Sequence, residues 1–171
     1  MSHLLISRLV IALFFGTFLP ACDQAETTPG GNESRWHQVV SADPADGSKI
    51  VHMMIAAENH LPSQKDRAAL VLSCEGGVTD VYVIWRQYLG SYDLDVTWRV
   101  GSGEEVTELW SLSTDNEAIF APEPVALIKS MMANEVFLIK TAPFGSGPET
   151  LVFKTARLEA EFAPLQEACA W

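Results

Sequence analysis

The clearest structural signal in the sequence is the run Asp93–Val100, DLDVTWRV, in which apolar and polar side chains alternate strictly. A period of two is typical of a β-strand that has one buried face and one solvated face. Gly101-Ser102-Gly103 follows as a turn, and residues 105–112 continue as a second strand-like run. These two runs predict an antiparallel hairpin.

Further strand-like runs flank this hairpin along the chain. We predict strands within residues 36–41, 50–56, 68–74, 78–88, 117–121, 136–141 and 150–155. Helical spacing after Pro122-Glu123-Pro124 predicts an inserted helix that ends near Asn134, and a C-terminal helix should be kinked or split by Pro164. The predicted fold class is α+β: an antiparallel β-sheet or sandwich-like core, one inserted helix and a C-terminal helix packed on the sheet.

The N-terminal residues have the layout of an export signal. Arg8 precedes the apolar run Leu9–Leu19, and the following Pro20-Ala21-Cys22 completes a pattern that resembles a bacterial lipobox. We therefore predict a lipoprotein signal peptide at residues 1–21 and lipid attachment at Cys22. The alternatives are an uncleaved transmembrane helix, for which the run is too short, and ordinary secretion with cleavage elsewhere. Asp23 resembles an inner-membrane retention signal.

The rest of the chain divides into two parts by composition. Residues 22–35 are polar, contain Pro and a Gly pair, and predict a flexible tether. Residues 36–171 are expected to form a single α+β domain. The formal net charge is −11. This charge argues against nucleic-acid binding, which requires a basic surface, and leaves a lipid anchor as the means of membrane attachment.

The three cysteines, Cys22, Cys74 and Cys169, are an odd number for an exported chain. Lipidation of Cys22 would leave Cys74 and Cys169. An oxidising compartment favours a disulfide between those two residues. The alternative is a pair of free, buried thiols.

The sequence offers little support for catalysis or metal binding. The histidines after residue 21 lack zinc-ligand spacing, no Cys-x-x-Cys pair exists, and the Gly-Ser-Gly segments are too short for a nucleophile elbow. The Met pairs at 53–54 and 131–132 could bind Cu(I), although places in the hydrophobic core are favoured. Glu104, Glu105 and Glu108 are interpreted as solvated hairpin charge. We predict no enzyme, cofactor or metal.

The segment Arg86–Tyr92, RQYLGSY, has the composition most typical of a binding surface. Arg86, Tyr88 and Tyr92 belong to the residue types enriched at interface hot spots. We select these three as candidate partner-binding residues. The alternative is that the two tyrosines are ordinary residues at a strand end.

Several motifs occur in an order that resembles a known family. They are R-x-x-L-x-L-x-C at 67–74, V-Y-V-x-W-x-x-Y-L at 81–89, VTWRV at 96–100, W-x-L-S-T-D at 110–115 and ACAW at 168–171. This pattern resembles the VasI/TagO-type accessory proteins associated with bacterial type VI secretion systems, over residues 36–171. Arg157-Leu158, where a Gly-Leu is expected, and Pro164 depart from it. The resemblance implies an exported, non-catalytic accessory role.

The predicted function is therefore that of a periplasm-facing, lipid-anchored lipoprotein of the bacterial cell envelope. It would act as an accessory or protein-interaction module whose partner is an envelope or secretion-apparatus protein. The alternative is a periplasmic inhibitor or ligand-binding lipoprotein, similar to lysozyme inhibitors. An exposed acidic loop would favour the inhibitor, whereas a flat apolar patch with no pocket would favour the interaction module.

Overall fold

The computed structural model describes residues 36–62 and 64–171. The predicted signal peptide, Cys22, Asp23 and the tether at 22–35 lie outside the described residues. The described strands are β1 (His37–Ala42), β2 (Lys49–Ala56), β3 (Ala69–Glu75), β4 (Val78–Ile84), β5 (Leu94–Val100), β6 (Val106–Leu112), β7 (Ala118–Phe120), β8 (Val136–Thr141) and β9 (Glu149–Lys154). The helices are α1 (Pro124–Met132), α2 (Leu158–Glu161) and α3 (Ala163–Cys169).

All nine strands belong to one antiparallel sheet with the order β1-β2-β3-β4-β7-β6-β5-β8-β9. The predicted hairpin is confirmed: β5 pairs with β6, and Thr97 lies opposite Thr107. The fold is α+β with β-structure predominating, in agreement with the predicted class. β4 ends at Ile84, earlier than the predicted run, because the backbone turns at Arg86, whose φ is 67°.

The sheet packs against a single hydrophobic core, which contains side chains from both of its halves. The alternating pattern of β4 places Val81 and Val83 in this core, and Trp85 continues the same face; all three are fully buried. The largest buried rings besides Trp85 are Trp110, Phe137, Phe153 and Phe162. Because aromatic side chains bury the largest apolar areas, these rings dominate the stability of the core.

The segment after β2 lies along the outer edge of β9. The Glu58 amide donates to the carbonyl of Val152 over 2.7 Å. The Asn59 side chain donates to the Thr150 carbonyl (2.7 Å) and accepts from the Val152 amide (2.9 Å). Asn59 thus satisfies backbone groups of β9 in the way that a neighbouring strand would, and it covers this sheet edge.

The helices lie where proline positions predict them. Pro124 begins α1, which places Leu127, Ile128 and Met131 in the core. The predicted break in the C-terminal helix is confirmed, because α2 ends at Glu161 and α3 begins at Ala163 with Pro164 in its first turn. Within the described ranges, no helix has the length and apolar character needed to cross a bilayer.

The predicted disulfide is also confirmed. Cys74 in β3 is bonded to Cys169 in α3, and their Cα atoms are 5.8 Å apart. Trp171 reinforces the same junction, because its indole N–H donates to the Thr79 hydroxyl over 2.7 Å and its ring packs 5.1 Å from that of Phe162. The C-terminal helix is therefore fixed to the sheet covalently and by packing.

The structure bears on the interpretations of the Met pairs and of the acidic residues beside the β5–β6 turn. Met53 and Met131 are fully buried in the hydrophobic core, as favoured over Cu(I) binding. Glu108, however, is not simply solvated: its carboxylate accepts the indole N–H groups of Trp98 (2.8 Å) and Trp110 (2.9 Å). The interpretation of Glu108 as simply solvated hairpin charge was wrong, because the pairing of β5 with β6 places the indoles of Trp98 and Trp110 beside its carboxylate.

Candidate binding surface

Trp85, the residue directly before the segment Arg86–Tyr92, is firmly held. Its amide donates to the Glu117 carbonyl (2.8 Å), and its own carbonyl accepts the Gln64 side-chain amide (2.7 Å). The buried indole donates to a carboxylate oxygen of Glu149 over 3.0 Å. Backbone and side chain are therefore both fixed, and the left-handed backbone at Arg86 turns the chain towards solvent.

Leu89 anchors the middle of the same segment. Its side chain is buried, its amide donates to the Asn116 carbonyl (2.9 Å), and its carbonyl accepts the Phe144 amide (3.2 Å). The last of these bonds joins the segment to the loop that connects β8 and β9. Two loops that are distant in the sequence therefore form one surface.

The turn that receives the Leu89 amide is held by Asp115. A carboxylate oxygen of Asp115 accepts from the Ser113 hydroxyl and from the Glu117 amide. These two hydrogen bonds, the one from the Ser113 side chain foremost, lower the pKa of Asp115 from its ordinary value. The carboxyl is ionised at neutral pH and keeps this turn closed.

Three exposed aromatic side chains occupy this surface, and we call Tyr88, Tyr92 and Phe144 the aromatic cluster. Their exposed fractions are 45%, 84% and 74%. The Tyr88 and Phe144 rings meet edge to face with centroids 5.7 Å apart, and the Tyr88 hydroxyl lies 2.7 Å from the Ser91 hydroxyl oxygen. The contacts of Tyr88 hold its ring in one place, while Tyr92 and Phe144 extend into solvent.

A shallow groove of about 270 Å³ lies between Tyr92 and Phe144. Its floor includes Leu89 and Leu94, so the groove is predominantly apolar. Asp93 lies at the margin of the groove. Its carboxylate accepts a hydrogen bond from the Leu112 amide over 3.2 Å. An apolar side chain from a partner would fit this groove between the two exposed rings.

The structure places all three sequence-predicted partner-binding residues at the surface. Arg86, Tyr88 and Tyr92 are all exposed, which excludes a purely structural role in the core. Phe144 was missed by the sequence analysis. The signal that could have found it is a large aromatic residue between Pro143 and Gly145, in a loop otherwise composed of small and turn-forming residues.

The remaining chemical candidates do not converge. Within residues 36–62 and 64–171, no three or more His, Cys, Asp or Glu side chains are arranged to hold a metal ion. The ring of His60 lies 3.2 Å from the Gln64 carbonyl oxygen, where it supports the loop that holds Trp85. The aromatic cluster is thus the best-formed candidate surface on the described residues.

Comparison with known proteins gives one family and one fold. A model of the VasI family, described as Type VI secretion system VasI, EvfG, VC_A0118, matches residues 25–171. No curated protein matches the sequence. The crystal structure of invasion associated protein b from Bartonella henselae is similar with a TM-score of 0.57, 10% identity, and coverage of 80% of this chain and 94% of that chain. At this identity the likeness concerns the fold alone.

Proposed function

The chain belongs to the VasI family of type VI secretion proteins, and we propose on this basis that it is a non-catalytic accessory protein of the cell envelope. In this role it binds a protein of the secretion apparatus. The contact surface is the aromatic cluster together with Arg86. The observation that carries this assignment is the exposure of three aromatic side chains on a base fixed by Trp85 and Leu89.

The rigidity of this base supports a binding role. Binding costs free energy when side chains and loops become ordered at an interface. Here Tyr88 is already held by Phe144 and Ser91, and the backbone on both sides is hydrogen-bonded. The surface therefore pays little of this ordering cost, and aromatic side chains of this kind are enriched at interface hot spots.

The charged side chains near the aromatic cluster bear on the choice between an apparatus protein and a lysozyme-type target. An inhibitor of a basic enzyme would be expected to present an acidic loop. Near the aromatic cluster the chain exposes both Asp93, whose carboxylate accepts the Leu112 amide, and Arg86, which forms no ion pair with the described residues. Arg86 is suited to a carboxylate on the partner.

Alanine substitution tests the surface. We expect the double variant Tyr88→Ala, Tyr92→Ala to reduce capture of the partner by roughly tenfold or more, because hot-spot truncations cost about 2 kcal/mol or more. Phe144→Ala should act in the same direction. Capture is measured by cross-linking in cells that carry a type VI secretion cluster, with the captured protein identified by mass spectrometry.

Leu109→Ala is the matched control, because Leu109 is an apolar side chain of β6 that is 58% exposed and lies outside the aromatic cluster. It should leave capture unchanged, and all variants should unfold within a few degrees of the wild type. Equal capture by the double variant and the wild type would refute the surface. Capture of the same protein from cells that lack the cluster would refute the link to secretion.

We further propose that Cys22 carries a lipid and tethers the domain to the membrane through residues 22–35. The lipobox-like residues before Cys22 support this proposal. A tether raises the effective concentration of the domain near membrane-bound partners, so modest affinity suffices for binding.

Substitution of Cys22 should change the location of the protein. Cys22→Ser is expected to move it from the membrane fraction to the soluble periplasmic fraction and to abolish incorporation of labelled fatty acid. Asp23→Ser is the control: it should keep the label and shift the protein from the inner towards the outer membrane. Continued labelling of Cys22→Ser would contradict the assignment.

A further inference from the structure

β1 forms one edge of the sheet and is exposed along its whole length. Val39 and Val40, at its centre, are 45% and 51% exposed. The sequence of the strand, HQVVSA, contains no Lys, Asp, Glu or Pro. Natural sheets block edge-to-edge pairing with such residues, with bulges or with a covering segment. β1 has none of the protective residues, and its pairing with β2 is regular over all six positions.

The opposite edge of the sheet, β9, is covered by another segment of the chain. The outer side of β9 is occupied by Glu58 and Asn59, which bond to the backbone of Thr150 and Val152. Within the described residues, no comparable contact covers β1. The β9 edge of the sheet is therefore covered, whereas the backbone of the β1 edge is open to pairing.

The ladder between β1 and β2 determines which groups β1 presents. The Asp43 amide donates to the Ser48 carbonyl at the hairpin end. Because antiparallel ladders alternate, the odd-numbered residues of β1 bond to β2, and Gln38, Val40 and Ala42 direct amide and carbonyl groups outward. Val40 also lies opposite Val51, which is fully buried, so its side chain borders the hydrophobic core.

We propose that β1 pairs with β1 of a second copy of this chain, antiparallel and centred on Val40. This register places Val40 opposite Val40, Gln38 opposite Ala42 and His37 opposite Asp43. The residues that direct amide and carbonyl groups outward then meet one another, which antiparallel pairing requires. The two valines form an apolar cross-strand pair that continues the core of each copy.

Charge favours a second copy at this place. The chain carries a formal net charge of −11, so two copies repel each other over most of their surfaces. β1 bears no Asp, Glu, Lys or Arg, and the register brings Asp43 to the imidazole of His37 rather than to another carboxylate. The edge strand is therefore where two acidic copies approach with little repulsion.

Cysteine cross-linking tests the pairing in cells that produce the full chain. Val40→Cys should give a covalent dimer on oxidation, because directly opposed residues have Cα atoms about 5.5 Å apart, within disulfide range. Val39→Cys should link several-fold less, since the two side chains are then diagonal neighbours. Val78→Cys is the control, because Val78 is a strand valine that is 59% exposed but lies in β4.

A stronger link at Val39 than at Val40 overturns this register. The absence of a dimer above the Val78→Cys level overturns the self-pairing, as does a Val40→Cys link only to a different protein. Val40→Lys provides a second test by sedimentation of the detergent-extracted protein. It should weaken dimerisation at least about tenfold, because edge lysines oppose strand pairing, whereas Val78→Lys should not.

Tyr88→Ala, Tyr92→Ala should dimerise as the wild type does, because the aromatic cluster lies outside β1. Dimerisation and partner capture can therefore fail independently of each other. Dimers that are lost in this double variant would contradict the assignment of self-pairing to β1.

Discussion

Replacing Cys74 and Cys169 together by alanine should lower the thermal unfolding midpoint by roughly 10–20 °C. The disulfide joins residues separated by 95 positions. In the chain-entropy model, a bridge that closes such a loop stabilises the folded state by about 4.7 kcal/mol. Calorimetry of the purified double variant measures the effect. The double variant is preferred over either single one, because a single substitution leaves an unpaired thiol.

Reduction provides an independent check on this value. Wild-type protein in excess reductant should unfold near the midpoint of the double variant, whereas Cys22→Ser should unfold at the wild-type midpoint. A double variant that unfolds within about 2 °C of the wild type would show that the bridge contributes little, and that Trp171 and the packing of α3 hold the helix by themselves.

Trp85→Ala should reduce the free energy of unfolding by about 3–5 kcal/mol, because it leaves a large cavity in a fully buried position. Trp85→Phe keeps most of the apolar contact but removes the indole donor to Glu149, which should cost about 1–3 kcal/mol. Denaturant titration of both variants separates packing from hydrogen bonding. The same substitutions should loosen the segment Arg86–Tyr92, since Trp85 fixes its start.

Tyr92→Ala is the appropriate comparison, because Tyr92 belongs to the same segment but is 84% exposed. Its effect on stability should stay within about 0.5 kcal/mol. If Trp85→Ala cost less than about 1 kcal/mol, the core around β4 would have to collapse into the cavity more completely than close packing normally permits.

Hydrophobic alternation predicted the strands and their antiparallel character because each strand has one buried face. It predicted the β5–β6 hairpin from local residues alone. It could not predict the placement of β7 and β6 between β4 and β5, because β7 has only three residues and is positioned by pairing on both sides. Sheet order depends on contacts between distant segments, which a local pattern does not contain.

The candidate surface, like the fold, could be predicted from the sequence only in part. Arg86, Tyr88 and Tyr92 were selected because Arg and Tyr are enriched at interface hot spots. Their position beyond the end of β4 was not predicted, because the predicted strand continued to residue 88. Phe144 joins them through a backbone hydrogen bond to Leu89, a contact with no local signature. Glu108 was misinterpreted although its hairpin was predicted, because the prediction did not include the register that brings Trp98 of β5 next to Glu108 of β6. The function of the surface remains a prediction.

The Asn59 contact with β9 sets the stoichiometry of any growth of the sheet. A sheet with two open ends can add copies without limit and produce a polymer. With β9 occupied by Asn59 and Glu58, addition at β1 consumes the available end of both molecules and stops at two. The Glu58 backbone and the Asn59 side chain together would therefore end the proposed growth of the sheet at β9. The proposed pairing at β1 would then give a dimer and not a fibre.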